Sequence, residues 1–167
     1  MLTSRRDYIL RIIDEVGLLL RRVLQQRNAG RPEEALQSMV AACERLFQLE
    51  AGQLFQFTPD QHIAMLANGE PPDIARDKIL LYAALCEEAG RSYRALGNAA
   101  LSQQSFLTAL RLTLKAQQTC SGLGLPAFAP NPAALLQLLS GTSLDADTAA
   151  LVTAAGLTPQ APPKSSP

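Results

Sequence analysis

The side chains able to do chemistry in this 167-residue chain are few and far apart. His62 is the only histidine, so spacing supports neither a two-histidine metal site nor a histidine–cysteine pair. It follows Asp60 in the first turn of a short predicted helix and reads as a surface residue. Cys43, Cys86 and Cys120 are too few and too scattered for a disulfide framework or a zinc site. Cys43 and Cys86 fall on apolar helical faces and read as structural thiols, packing as small hydrophobes. Asp73 and Asp77 share a helix face one turn apart, a pairing that ordinarily forms a solvated face. Gly122-Leu123-Gly124 lacks the strand–helix context and further glycines of a phosphate loop, so it reads as a turn. No nucleophile, base and orienting group can be assembled. The expectation is a non-enzyme with no catalytic residues, no metal ligands and no cofactor.

Composition points to helices. Leu and Ala dominate, against five Phe, three Tyr and no Trp. Leu and Ala lose little side-chain entropy in a helix, whereas β-branched and aromatic residues favour strands. Formal net charge is zero but unevenly spread. Residues up to Arg31 carry seven Lys/Arg against three Asp/Glu, residues 32–90 carry three against ten, and the remainder five against two. A chain living on phosphate contacts would carry a clear basic excess, so nucleic acid is not an expected partner. Arg11, Asp14 and Glu15 interrupt the first apolar stretch, so no signal peptide is read there. Nothing approaches about 18 uninterrupted apolar residues, hence no transmembrane segment. With reduced thiols, these features lead to an expected cytoplasmic location.

The elements follow from periodicity and capping. Ser4 reads as an N-cap, with Asp7 three residues later as a short-armed capping box. Ile9, Ile12, Ile13, Val16, Leu19, Leu20, Val23 and Leu24 then form a stripe of period 3.6. Asn28-Ala29-Gly30 ends that helix, and Pro32 suits the first turn of the next. The second helix carries Leu36, Met39, Val40, Cys43, Leu46 and Phe47, and so short a connection makes the two antiparallel neighbours. Residues 51–57 read as a turn with Leu54, Phe55 and Phe57 pointing inward. Thr58-Pro59-Asp60-Gln61 is a strong helix start, with a short helix running to Asn68-Gly69. A long helix opens at Pro71-Pro72-Asp73 and breaks at Gly97-Asn98, and another runs from about Ala99 to Gln118. Beyond the turn or linker after Cys120, residues 133–139 and 148–155 read as short helices. Residues 161–167 read as a disordered tail by composition.

Two stretches carry a repeat. Residues 87–97 (Glu-Glu-Ala-Gly-Arg-Ser-Tyr-Arg-Ala-Leu-Gly), with Phe106, Ala109 and Leu110 beyond, have the glycine and aromatic spacing of a helical hairpin. Gly30-Arg31-Pro32-Glu33-Glu34-Ala35-Leu36, with Met39 and Ala42, matches its second half. The pattern resembles the tetratricopeptide repeat. Gly90 and Tyr93 take the small and aromatic positions of the first helix, Gly97 the turn, and Phe106 and Ala109 the second helix. In the earlier unit Val23 and Gln26 depart from the first-helix pattern. The turn glycines lie 67 residues apart, one short of two 34-residue repeats, which implies a degenerate middle unit containing the helix after Thr58. The chain is also similar, over roughly residues 1–118, to a bacterial family of short tetratricopeptide-like proteins. Those open with an Arg-Asp-Tyr-Ile-Leu-Arg type motif, here residues 6–11, and the resemblance implies a fold but no activity. The expected fold is all-α, with antiparallel hairpins stacked as a right-handed array over residues 1–119. A helical extension at 120–157 packs on or caps it, and a tail follows at 158–167.

The resemblance also implies a groove lined by the first helix of each hairpin. The positions are Ala84, Glu87, Arg91, Arg94 and Ala95 in one unit, and Leu20, Leu24, Arg27 and Asn28 in the other. Arg91 and Arg94 could bind an acidic peptide or a C-terminal carboxylate, with Glu87 and Arg27 on the same groove. The plainer reading is a solvated face whose arginines pair with Glu87 and Glu88, each pair contributing little. The lysine–asparagine clamp of chaperone-binding members is absent. The expected function is therefore a non-catalytic interaction scaffold binding a protein or peptide. One alternative is a self-associating protein, homodimeric through a terminal hairpin. Another is a peripheral membrane adaptor using Arg5, Arg6, Arg11, Arg21 and Arg22.

Overall fold

One apolar stripe per long helix decides how the chain packs. The computed structural model describes residues 2–159, with side chains from Arg5 onward. Residues 161–167, expected to form a tail, lie outside the described residues. Among those described there are eight helices and no strand: α1 (Leu2–Asn28), α2 (Pro32–Phe47), α3 (Ala51–Leu54), α4 (Pro59–Ala67), α5 (Pro72–Ala95), α6 (Ala99–Thr119), α7 (Pro132–Leu138) and α8 (Ala146–Ala154). The protein is all-α. Ile12, Val16, Leu20 and Val23 on α1 are buried while Arg11, Asp14 and Arg22 stay outside. α1 begins at Leu2, so Ser4 lies within the helix instead of capping it. The first turn needs no cap residue at that point because the helix has already started.

The two long helix pairs share one turn. After α1, the Gly30 N–H donates to Arg27 O and the Arg31 N–H to Gln26 O. After α5, the Gly97 N–H donates to Arg94 O and the Asn98 N–H to Tyr93 O. Both turns place glycine in the left-handed region, at φ 75° and 78°, where a side chain is strained. α2 then returns along α1, with Arg45 bonded to Glu15 at 2.6 Å and Gln48 to Tyr8 at 3.2 Å.

α5 is the spine. Every residue from Ile79 through Cys86 is buried, because α1, α2, α4 and α6 all pack against it. A helix apolar on all sides belongs in a core. α2 and α5 touch directly, so the expected middle hairpin is absent. Residues 51–67 instead form α3 and α4, too short to span the stack, and α4 packs against α5 and α6. Thr58 caps α4 through a complete capping box with Gln61. Leu54 points inward, but Phe55 and Phe57 do not: both lie past the end of α3, in the turn before α4, and are exposed.

α7 and α8 pack on α6 and cover its outer face. Arg111 of α6 ties this region together. Its guanidinium makes a two-pronged bond to Asp60 at the start of α4, at 3.0 and 2.9 Å, and reaches Thr148 of α8 at 3.5 Å. That bond holds the Asp60 carboxyl below its ordinary range. The folded chain therefore takes up this proton less readily than the unfolded one. The stabilisation is present above about pH 4, the unfolded carboxylate value, and is lost as pH falls through the lower folded value. Asp60 is mostly solvated, so the pair is worth under about 1 kcal/mol. Replacing Arg111 by Lys removes the fork. Its urea midpoint should fall below wild type near neutral pH, and the gap should close on acidification. A gap that persists in acid would count against this pairing.

Gly90 sets the closest approach in the core. A Cβ there would lie 2.6 Å from Cε1 of the buried Phe106 ring, and Ser102 Oγ donates to the Gly90 carbonyl oxygen at 2.7 Å. Gly90→Ala gains about 1 kcal/mol of helix propensity but overpacks at a cost of about 1–3 kcal/mol. A net loss of about 1 kcal/mol is expected. In a double-mutant cycle with Phe106→Leu, the pair should lose less stability than the sum of the singles. Strict additivity in denaturant titrations would show that the two side chains do not meet.

Candidate functional site

α1 and α5 run in the same direction along one face of the molecule. Arg6 pairs with Asp73 at their starts, at 3.6 Å, and Arg27 pairs with Glu88 towards their ends. Between them lies a recess of about 340 Å³ lined by Gly17, Leu20, Arg21 and Leu24 from α1 and by Ala84, Glu87 and Glu88 from α5. Four positions read from sequence as groove-lining, Leu20, Leu24, Ala84 and Glu87, thus come together. Spacing explains this, since each set recurs along one side of its own helix. Asn28 and Ala95 are exposed beyond the recess.

Two expectations for this face need correction. Leu20 and Ala84 are buried, not exposed, because they lie on the packed sides of α1 and α5; Ala127, Phe128 and Ala129 of the connection between α6 and α7 line the same recess. Arg27 is not a free cation. It is spent on Glu88, a carboxylate whose side chain is only 8% exposed. A buried carboxylate left without its partner costs about 3–5 kcal/mol, so this arginine is a structural counter-ion. Arg91 is also paired, with Glu87 at 2.9 Å one turn away. Arg94 is exposed and makes no ion pair among the described residues. Both arginines line a second, open recess with Ala134, Gln137, Leu138 and Ser140 from the α7 region. The face therefore continues from α1 across α5 to α7.

Phe128 is the residue that sequence reasoning missed. It sits in a Gly/Pro-rich connector with no periodicity, and the only signal was a lone aromatic bracketed by Pro126 and Pro130. In the structure it is half-buried against the core, and Pro130 is fully buried.

The opposite side holds a second cleft of about 330 Å³ between α2 and α6, floored by Tyr82, Cys86 and Tyr93. Phe57 of the α3–α4 turn and Leu101 of α6 stand exposed on its walls. His62 lies beneath it and is buried, contrary to the surface position read from sequence. Its Nε2 is 2.8 Å from Leu54 O and its Nδ1 is 3.1 Å from Tyr82 Oη. A carbonyl oxygen can only accept, so Nε2–H donates to Leu54 O, and Nδ1 shares a hydrogen bond with the Tyr82 hydroxyl. Phe47 meets both rings edge-on. With both nitrogens and three edges occupied, the imidazole pins α3, α4 and α5 together. Among the described residues, no three His, Cys, Asp or Glu gather as metal ligands would, and no helix is long and apolar enough to cross a membrane. No family model, curated protein or solved structure matches this chain.

Burial drives the Tyr82 hydroxyl and the Cys43 thiol far up, and the Cys86 thiol up to about 12. Only the thiolate reacts, and both cysteines are buried, Cys86 at the bottom of its cleft. At about pH 8, a disulfide reagent should therefore label only Cys120 in the native protein, and all three thiols after denaturation. Rapid labelling of a second thiol in the folded chain would refute this packing.

Proposed function

We propose that this chain is a non-catalytic interaction module built as a tetratricopeptide-like stack of antiparallel hairpins, binding a protein or peptide partner along the α1–α5–α7 face. The observation that carries this reading is the convergence of Leu20, Leu24, Ala84 and Glu87 on one recess between two parallel helices. The two identical turns at Gly30 and Gly97 support it. So do Ala42 and Ala109, each twelve residues past its turn glycine and each fully buried where two helices meet. In this array α1–α2 stacks directly on α5–α6, with α7 beginning a third unit.

Binding rests on an apolar recess with charge at its rim. Half-buried Leu24 supplies contact area above a buried floor of Leu20 and Ala84, whereas Arg21 and Arg94 are the cations without ion-pair partners among the described residues at the edges of the face. Burying one aliphatic or aromatic anchor contributes about 1.5–3 kcal/mol, more than an exposed ion pair. The native arginines therefore serve orientation and selectivity more than affinity, but reversing their charge sets repulsion against a partner chosen by them and is enough to release it.

The peripheral-membrane alternative loses its main support, because the apolar stripe of α1 is covered by α2 and α5. Arg5 and Arg6 are engaged with Glu70 and Asp73.

Capture from a lysate of the native host, quantified by mass spectrometry, tests the proposal. Wild type is compared with Arg91→Glu/Arg94→Glu and with Arg22→Glu on an exposed part of α1 outside the recess. A partner kept by wild type and Arg22→Glu, but reduced at least tenfold by the double substitution at unchanged helicity, is the expected result. Equal retention by all three moves binding off this face.

A further inference from the structure

The groove between α1 and α5 already holds a short piece of this chain. From the level of Arg76, whose guanidinium donates to Gly124 O at 3.3 Å, the connector follows α5 towards the α7 region. It turns tightly at Pro126–Ala129, closed by the Ala129 N–H donating to Pro126 O at 3.0 Å. The turn carries Phe128 into the recess lined by Leu20, Leu24, Ala84 and Glu87.

Three observations mark this occupancy as loose. Among the described residues, no hydrogen bond joins residues 125–129 to α1 or α5; the contact is apolar. The recess keeps about 340 Å³ beside the turn, and a Cβ added at Gly17 in its wall would meet nothing within 4 Å. The connector is also unevenly anchored. Ser121 to Gly124 are exposed and contain two glycines, whereas Pro130 is buried and leads into the packed α7. The turn can therefore leave the recess by rearranging residues 121–124 and giving up the single Arg76 bond to Gly124 and its own apolar contacts, with the helices still packed on one another.

We infer that residues 125–129 are a tethered, displaceable occupant of this groove. The partner it admits is a short apolar peptide presenting an aromatic side chain on a tight turn, in competition with Phe128. This deepens the groove reading above and rests on it. A segment held on so short a tether has an effective concentration of roughly millimolar, so it masks the groove from weak ligands and yields to better ones. Phe128 flanked by alanines, with prolines on either side, shows the chemistry the groove accepts.

The test uses a fluorescent peptide with the sequence of residues 123–131, followed by anisotropy on the full chain. Phe128→Ser empties the groove and should bind the peptide at least about tenfold more tightly than wild type. A peptide carrying Ser for Phe should not bind. Should Phe128→Ser fail to fold, hydrogen exchange on the unmutated chain decides. Millimolar peptide should speed exchange in residues 121–129 and slow it in the facing turns of α1 and α5. No binding to either chain, or equal binding to both, overturns the inference. If Arg91→Glu/Arg94→Glu still loses its captured partner in that case, the interaction reading survives and only the tether is retired. A concentration-dependent dimer abolished by Phe128→Ser would mean that the turn exchanges between chains, and would overturn the assignment to a separate peptide.

Discussion

The structure depends on the complete enclosure of α5. A 24-residue helix whose middle is buried on all sides leaves its neighbours little choice of position. α6 must come close enough for the Phe106 ring to lie against Gly90, and the Ser102 hydroxyl then reaches the Gly90 carbonyl. α2 and α1 cover the opposite side through Ala42, Cys43, Val16 and Leu20. Interiors are packed as densely as organic crystals, so each contact fixes the next. The groove inherits its rigidity from this arrangement, since one wall belongs to the spine and the other to the helix packed against it.

Enclosure also dictates where charge may sit. Glu88 lies on the buried helix at the edge of the groove, and only the Arg27 guanidinium beside it makes an ionised carboxylate tolerable there. Glu70, similarly buried, is met by Arg5 and Lys78. These acids are counter-ions to the first helix, and they explain why cations predicted to face a ligand are engaged inside the molecule.

What could be read from sequence was local. The turn glycines Gly30 and Gly97, the capping box at Thr58 and the stripe of α1 each follow from a few neighbouring residues, and all lie where the pattern placed them. That Leu20, Leu24, Ala84 and Glu87 line one recess follows in the same way, since one helix face is a local property. His62 was misread because its burial comes from Tyr82, twenty residues on, and from the Leu54 carbonyl, neither of which has a signature near it. The middle repeat was inferred from a near-integral spacing, but spacing does not record whether the intervening chain can span a stack; α3 and α4 cannot. Phe128 was invisible because a connector's path is set by the surfaces it crosses.

The uneven charge along the chain has its explanation in these pairings. The basic first segment and the acidic middle one are adjacent in space, joined by Arg5 to Glu70, Arg6 to Asp73 and Arg27 to Glu88. Each exposed pair contributes under about 1 kcal/mol, yet all three favour the same register of α1 on α5 and the turn before it. The asymmetry thus works as a specification of packing and leaves few cations for a partner. A ligand approaching the face meets a nearly neutralised wall with an apolar floor, and Phe128 lies across that floor. On the interaction reading proposed above, recognition there would be led by shape and an apolar anchor, with Arg21 and Arg94 discriminating at the margin.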